Sequence, residues 1–289
     1  MSIHFPKMDK SESSLRPIGV FDSGIGGLTV VRALRDLLPQ EDIFYIGDTA
    51  RLPYGGKSKS TIERYSIEIS GLLLAEDAKM IVVACNTSSS LAVSKLQEIL
   101  KAPIVGVIAP GARAAVKETR IGHVGVIGTN STIQSEAYER AIQALNPAVR
   151  VTSQACPLLV PLVEEAWLDG KKGKVTREIL HFYLDPVVQA GIDTLVLGCT
   201  HYPLLAPLIQ EVCGPGIRLV DSARNCAVAV KQTLEECGLE NTAEGAGKLN
   251  VALTDSSNSF LTTARRALRL EIDSLETRIV QGMVLLETT

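Results

Sequence analysis

The chain has few histidines, no closely spaced cysteines and no long apolar run. Four histidines in 289 residues give little material for a metal centre. The six cysteines fall at 85, 156, 199, 213, 226 and 237. Even the nearest pair, Cys226 and Cys237, is too widely spaced for a CxxC redox or zinc motif. No stretch reaches the roughly 18 apolar residues that span a membrane, and the opening MSIHFPKMDKSESSLRP lacks an apolar signal-peptide core. A cytoplasmic location is therefore expected, where thiols stay reduced. Any special cysteine should act as a thiol, not as a staple or a metal clamp. Charge of one sign is lacking too. A formal net charge of −3 gives no reason to expect nucleic acid or a membrane as the main partner.

What is present is apolar residue, 46% of the chain, enough to fill one large α/β domain or two ordinary ones. Short β-rich runs alternate with longer amphipathic stretches. The runs are IGVF (18–21), DIFYIGD (42–48), MIVVAC (80–85), PIVGVI (103–108), HVGVIG (123–128), TLVLGC (194–199), RLVD (218–221) and LNVALT (249–254). Near-continuous apolar strands separated by helical stretches predict parallel sheets covered on both faces. The helical spacing is plain in Leu28, Val31, Leu34 and Leu38, with Pro39 closing the run.

An internal echo carries more information than any single element. GVFDSG (19–24) and GVIGTN (125–130) are each a strand running into a turn. IVVACNT (81–87) and LVLGCTH (195–201) each end an apolar strand in cysteine and a hydroxyl-bearing turn. The fold class expected is α/β, with two similar doubly wound parallel-sheet domains and the active site between them, beyond the carboxyl ends of the strands. The boundaries expected are a flexible polar leader at 1–16, a first domain at 17–110 plus about 215–289, and a second at 111–214. The return near 215 rests on RLVDSA, which looks like another strand-end turn.

The Gly-rich VFDSGIGGLTV (20–30) fails as a dinucleotide fingerprint, because Thr29 occupies the third glycine position and Asp22 stands where phosphates would approach. A tight turn is the plainer reading; Asp22 and Ser23 at a strand end before helix amides are the functional one. A lone cysteine in an apolar run is most often buried packing. Two at equivalent places in repeated units, Cys85 beside Asn86 and Thr87, Cys199 beside Thr200 and His201, suggest facing thiols. One thiolate can take a proton from a carbon acid while the opposite thiol returns one to the other face. The other four cysteines are assigned to packing. DTARLPYGGKS (48–58) is a loop whose Tyr54 and Gly55 amide suit a carboxylate, and Glu164 and Glu165 read as ordinary exposed helix charges.

The ordered set DSGIGGLTV (22–30), PYGGKS (53–58), ACNTSS (84–89), VGVIGT (124–129), PLVE (161–164) and GCTHYP (198–203) resembles the motif set of bacterial glutamate racemases, within the aspartate/glutamate racemase family. The resemblance extends over about residues 17 to 270. It implies a cofactor-independent racemase of L- and D-glutamate that supplies D-glutamate for peptidoglycan. It implies that Cys85 deprotonates D-glutamate and Cys199 L-glutamate, assisted by Asp22, His201 and Glu164, which revises the bland reading of Glu164. Substrate contacts implied are Asp22, Ser23, Pro53, Tyr54, Gly55, Cys85, Asn86, Thr87, Thr129, Thr200 and His201, with no metal. The resemblance also implies a monomer or homodimer and, in some Gram-negative members, activation by UDP-N-acetylmuramoyl-L-alanine. Here GTNSTIQS departs from the glycine-containing turn the family often has, so the turn after Thr129 is expected to be set differently. Aspartate racemisation is the rival within enzymes, and a nucleotide-binding regulatory module the rival outside them.

Overall fold

The computed structural model describes residues 13–255, 269–278 and 280. Its strands are β1 (Ile18–Asp22), β2 (Ile43–Gly47), β3 (Met80–Val83), β4 (Ile104–Gly106), β5 (His123–Gly128), β6 (Arg150–Ala155), β7 (Thr194–Gly198), β8 (Arg218–Asp221), β9 (Leu249–Leu253) and β10 (Ser274–Thr277). They form two parallel sheets, one in the order β10-β9-β2-β1-β3-β4 and one in the order β6-β5-β7-β8. The chain is α/β, as its strand patterning predicts.

Every residue of β1 is buried, and the two-residue alternation of a strand divides them between two cores. Ile18 and Val20 join one apolar cluster with Leu28, Val31 and Leu34 of helix α1 (Leu28–Leu37). Phe21 joins the cluster on the other face, with Ile69 and Leu73 of α2 (Lys59–Ala75). The second sheet is likewise covered on both faces. This two-sided burial explains why central strands read as unbroken apolar runs.

Strand order repeats between the sheets. The block β2-β1-β3-β4 has the same connectivity as β6-β5-β7-β8. The order therefore reverses between β1 and β3 in one sheet and between β5 and β7 in the other, and a crevice opens at such switch points. Asp22 ends β1 and Cys85 follows β3; Thr129 follows β5 and Cys199 follows β7. The sequence echo is thus a repeat of topology, and it places the two thiols at matching corners.

The route back to the first sheet differs from expectation. Arg218–Asp221 pairs in register with Thr194–Leu197, so β8 belongs to the second sheet, and the return begins after it. A strand-end turn pattern says nothing about which sheet a strand joins. The return is made by helix α11 (Ser222–Cys237), which packs both on α1 and on α5 (Ile108–Glu118) and so bridges the two halves. Cys156, Cys213 and Cys226 lie in the cores, but Cys237 does not: it ends α11 on the solvent side, before the left-handed cap at Gly238, and is exposed. Its assignment to packing is corrected accordingly.

Of the expected leader, residues 1–12 lie outside the described residues. Residues 13–16 are held, with the Ser14 carbonyl accepting from Lys79 Nζ at 2.6 Å and Arg16 facing Asp77 at 3.7 Å. Among the described residues no helix is long and apolar enough to cross a membrane.

Candidate active site

The first wall is built where β1 turns into α1. Asp22 is fully buried, and its Oδ2 accepts the amides of Gly24 and Gly27, each at 3.0 Å. The amides a phosphate would need are thus held by the protein's own carboxylate, which disfavours the nucleotide reading of this turn. Close approach, not flexibility, demands the glycines. A Cβ on Gly27 would lie 2.3 Å from the Asp22 Cβ, and one on Gly26 would lie 2.4 Å from Thr200 Oγ1 and 2.6 Å from His201 Nδ1. The second half of the molecule presses onto this turn. Thr200 Oγ1 donates to Asp22 Oδ1 at 3.3 Å. Burial raises the Asp22 carboxyl above its ordinary range, against the opposing pull of the His201 charge and the two amides.

Cys85 sits at the start of helix α3 (Asn86–Leu91), nearly buried, with its Sγ 3.8 Å from Ser23 Oγ. Burial and then the Asp22 charge push its thiol up to about 12, while Ser88 pulls it back through its amide and hydroxyl. Cys85 is therefore held as the protonated thiol at neutral pH.

The second wall follows β7. Cys199 Sγ lies 3.8 Å from His201 Nδ1, and His201 Nε2 lies 3.1 Å from Glu164 Oε1. Burial opposes charge on this imidazole, but Cys199, Glu164 and the Asp22 charge together outweigh it and raise His201 to about 10. With both ring nitrogens facing acceptors, a cationic ring fits the site. Glu164 ends helix α8 (Leu159–Glu164) and turns toward His201 instead of standing free in solvent as its helix pattern suggests.

The floor and rim come from both halves. Thr87 Oγ1 lies 3.0 Å from Thr129 Oγ1, and Thr129 caps helix α6 (Asn130–Gln134) by accepting from the Thr132 amide. The unusual turn after Thr129 has its own use here. Ser131 donates both its amide (3.0 Å) and its hydroxyl (2.8 Å) to the Gly55 carbonyl. That clamps the 53–57 loop onto the second half. Asn86 Oδ1 accepts from the Tyr138 hydroxyl at 2.8 Å, whereas its Nδ2 is buried without a partner among the described residues. A buried amide donor left unpaired is costly, and Asn86 lines the cavity, so the group is suited to a ligand oxygen.

Pro53, Tyr54, Gly55, Ser23, Asn86 and Thr87 line one small cavity together with Thr129, Glu164, Thr200, His201 and both thiols. Asp22 lies behind it, touching the lining through Thr200. A larger groove, of about 610 Å³, lies elsewhere against α11 and contains no thiol. Among the described residues no group of three or more His, Cys, Asp or Glu side chains converges as a metal ion would require.

The chain matches the family described as Asp/Glu/Hydantoin racemase over residues 28–233. It is 49% identical over 269 residues to a glutamate racemase of Syntrophus aciditrophicus (strain SB), covering 93% of this chain and 98% of the relative. The chain belongs to the glutamate racemase family. It is accordingly an isomerase. Among solved structures it is similar to glutamate racemase from Francisella tularensis subsp. tularensis SCHU S4 in complex with D-glutamate, at 36% identity and a TM-score of 0.85, covering 93% of this chain and 99% of that one. The Escherichia coli glutamate racemase, in complex with L-glutamate and the activator UDP-MurNAc-Ala, is 29% identical with a TM-score of 0.76, covering 92% and 100%.

Several residues at this cavity escaped sequence reasoning. Leu52 and Val160 line the cavity; each adjoins a motif, which is the one signal that could have found them. Thr29 Oγ1 reaches the Thr200 carbonyl at 3.2 Å, and Tyr138 supports Asn86 from helix α7 (Ala137–Leu145). Neither contact has a local sequence signature.

Proposed function

We propose that this enzyme interconverts L- and D-glutamate by a two-base mechanism, without a cofactor, and so supplies D-glutamate for peptidoglycan in the cytoplasm. The observation that carries the reading is the pair of thiols from topologically equivalent strand ends, both lining one cavity. A stereocentre is inverted when one group removes the α-proton from one face and another delivers a proton to the opposite face.

From L-glutamate, Cys199 as thiolate takes the α-proton, and Cys85, resting as the protonated thiol, delivers its own to the other face. From D-glutamate the roles exchange. His201 is placed to stabilise negative charge on Cys199 Sγ, and Glu164 holds the imidazole in position. Asp22 lies against the Cys85 side, and its charge there favours return of the proton to that sulfur. Asn86, Thr87 and the Gly55 amide are suited to the substrate's carboxylates. The space between the walls is only about 30 Å³, room for a water or two.

The test is incubation with L-glutamate in D₂O without added pyridoxal phosphate or metal. α-Deuterated D-glutamate is expected; no exchange would refute the reading. The same assay with aspartate enantiomers separates the rival substrate. UDP-N-acetylmuramoyl-L-alanine is the candidate effector, and adding it to the exchange tests whether this enzyme is activated. The enzyme is expected as a monomer or homodimer, which light scattering distinguishes.

A further inference from the structure

One wall of the cavity is a loop held by a carboxylate that does not itself line the cavity. We propose that Asp48 is a positioning residue for substrate binding, acting through Tyr54 and Gly55, an inference that rests on the racemase reading above. Asp48 follows β2 and is fully buried. Its Oδ2 accepts from the Tyr54 hydroxyl and, at 2.7 Å, from Arg51 Nε; its Oδ1 accepts from Thr254 Oγ1 at 2.8 Å. Its amide donates to the Asp22 carbonyl at 3.0 Å. One side chain and its amide thereby join the ends of β1, β2 and β9 to the far end of their own loop.

The arrangement turns Tyr54 around. Its phenol donates to Asp48, and burial together with the Asp48 charge raises it well above its ordinary range, so it stays a donor. Its ring lies 5.6 Å from the Tyr65 ring, and Tyr65 is itself covered by the Arg51 guanidinium at 4.0 Å. Arg51 also bonds to Glu68 of α2, which keeps it in place. Tyr54 is thus fixed at the hydroxyl by Asp48 and at the ring by Tyr65, with the hydroxyl committed inside the protein. Pro53, Tyr54 and Gly55 are left along the cavity. At Gly55 the loop meets Ser131, and a Cβ there would lie 2.6 Å from Thr129 Cβ, so little displacement is tolerated.

A loop ordered before substrate arrives spares the ordering cost on binding. Asp48→Asn keeps the size but removes the negative charge beside Arg51 and leaves one carbonyl oxygen where a carboxylate serves three donors. It is expected to raise KM for glutamate about tenfold, with kcat within about twofold. Tyr54→Phe removes the other end of the same bond and should raise KM similarly, and the double variant should raise it no further. A merely structural role would instead lower the melting temperature and the active fraction at unchanged KM. Unchanged KM in an active Asp48→Asn, or additive effects in the double variant, would overturn the proposal. Thr254→Val removes a donor remote from substrate and serves if Asp48→Asn does not fold: a raised KM supports the proposal, and an unchanged one overturns it. Wild-type protein inactive on glutamate would refute the racemase reading and this proposal with it. Active wild type with unmoved variants refutes this proposal alone.

Discussion

Thr29 Oγ1 reaches the backbone carbonyl of Thr200 at 3.2 Å, tying the first helix of one half to the turn that carries the second thiol. Thr29 is buried and also lies 2.9 Å from the Gly26 carbonyl. Thr29→Val keeps the shape and removes the donor. Urea denaturation should show a loss of about 1 kcal/mol; an unchanged midpoint would mean the contact contributes nothing to holding the halves together.

Gly26→Ala tests how closely the halves must meet. Its backbone is not in the left-handed region, so strain comes only from the added methyl, 2.4 Å from Thr200 Oγ1 and 2.6 Å from His201 Nδ1. Both groups belong to the site, and displacing reacting groups by about 1 Å can cost about 10²-fold in rate. Steady-state assays should show kcat/KM falling by about that factor, with a stability loss of about 1–3 kcal/mol. Near-normal kcat/KM would show the site tolerates wider separation.

Cys85→Ala and Cys199→Ala should each lower racemisation by at least about 10², because inversion needs a proton donor on either face. Circular dichroism should show both variants folded. Substantial racemisation by either one would exclude the two-base assignment.

Stability should fall with rising pH through the His201 titration. The imidazole is raised from 6.5 to about 10 in the folded protein, so the folded state binds the extra proton between those values. Its stabilising contribution is full below 6.5 and is lost as pH rises through 10. Melting temperatures of wild type and His201→Asn, measured from pH 6 to about 10, should converge as pH increases. Parallel curves would rule out a charged His201 in the folded protein.

Much of this was legible because the sheets are buried on both faces. The central strands β1, β3, β5 and β7 have no polar interruption, so their runs and strand-ending cysteines stand out. Arg150–Ala155 and Ser274–Thr277 did not stand out, since these edge strands are half-buried and exposed respectively and their polar residues match no strand pattern. The site divides the same way. Cys85 and Cys199 are visible because a repeat marks them twice, whereas Thr29 and Tyr138 bond to partners distant in sequence. Glu164 shows the limit of local reading. As a helix-end charge it looks solvated, and only the fold brings His201 to it.

The two walls repeat one topology but not one electrostatic environment: an imidazole and a carboxylate back Cys199, while Ser23 and the buried Asp22 back Cys85. For an enzyme whose substrate and product are mirror images, the free reactants have equal energy and the equilibrium constant is unity. The ratio kcat/KM must then be the same from either enantiomer, however unlike the walls are. The asymmetry of charge can appear only as a trade, with the direction of larger kcat also the one of proportionally larger KM.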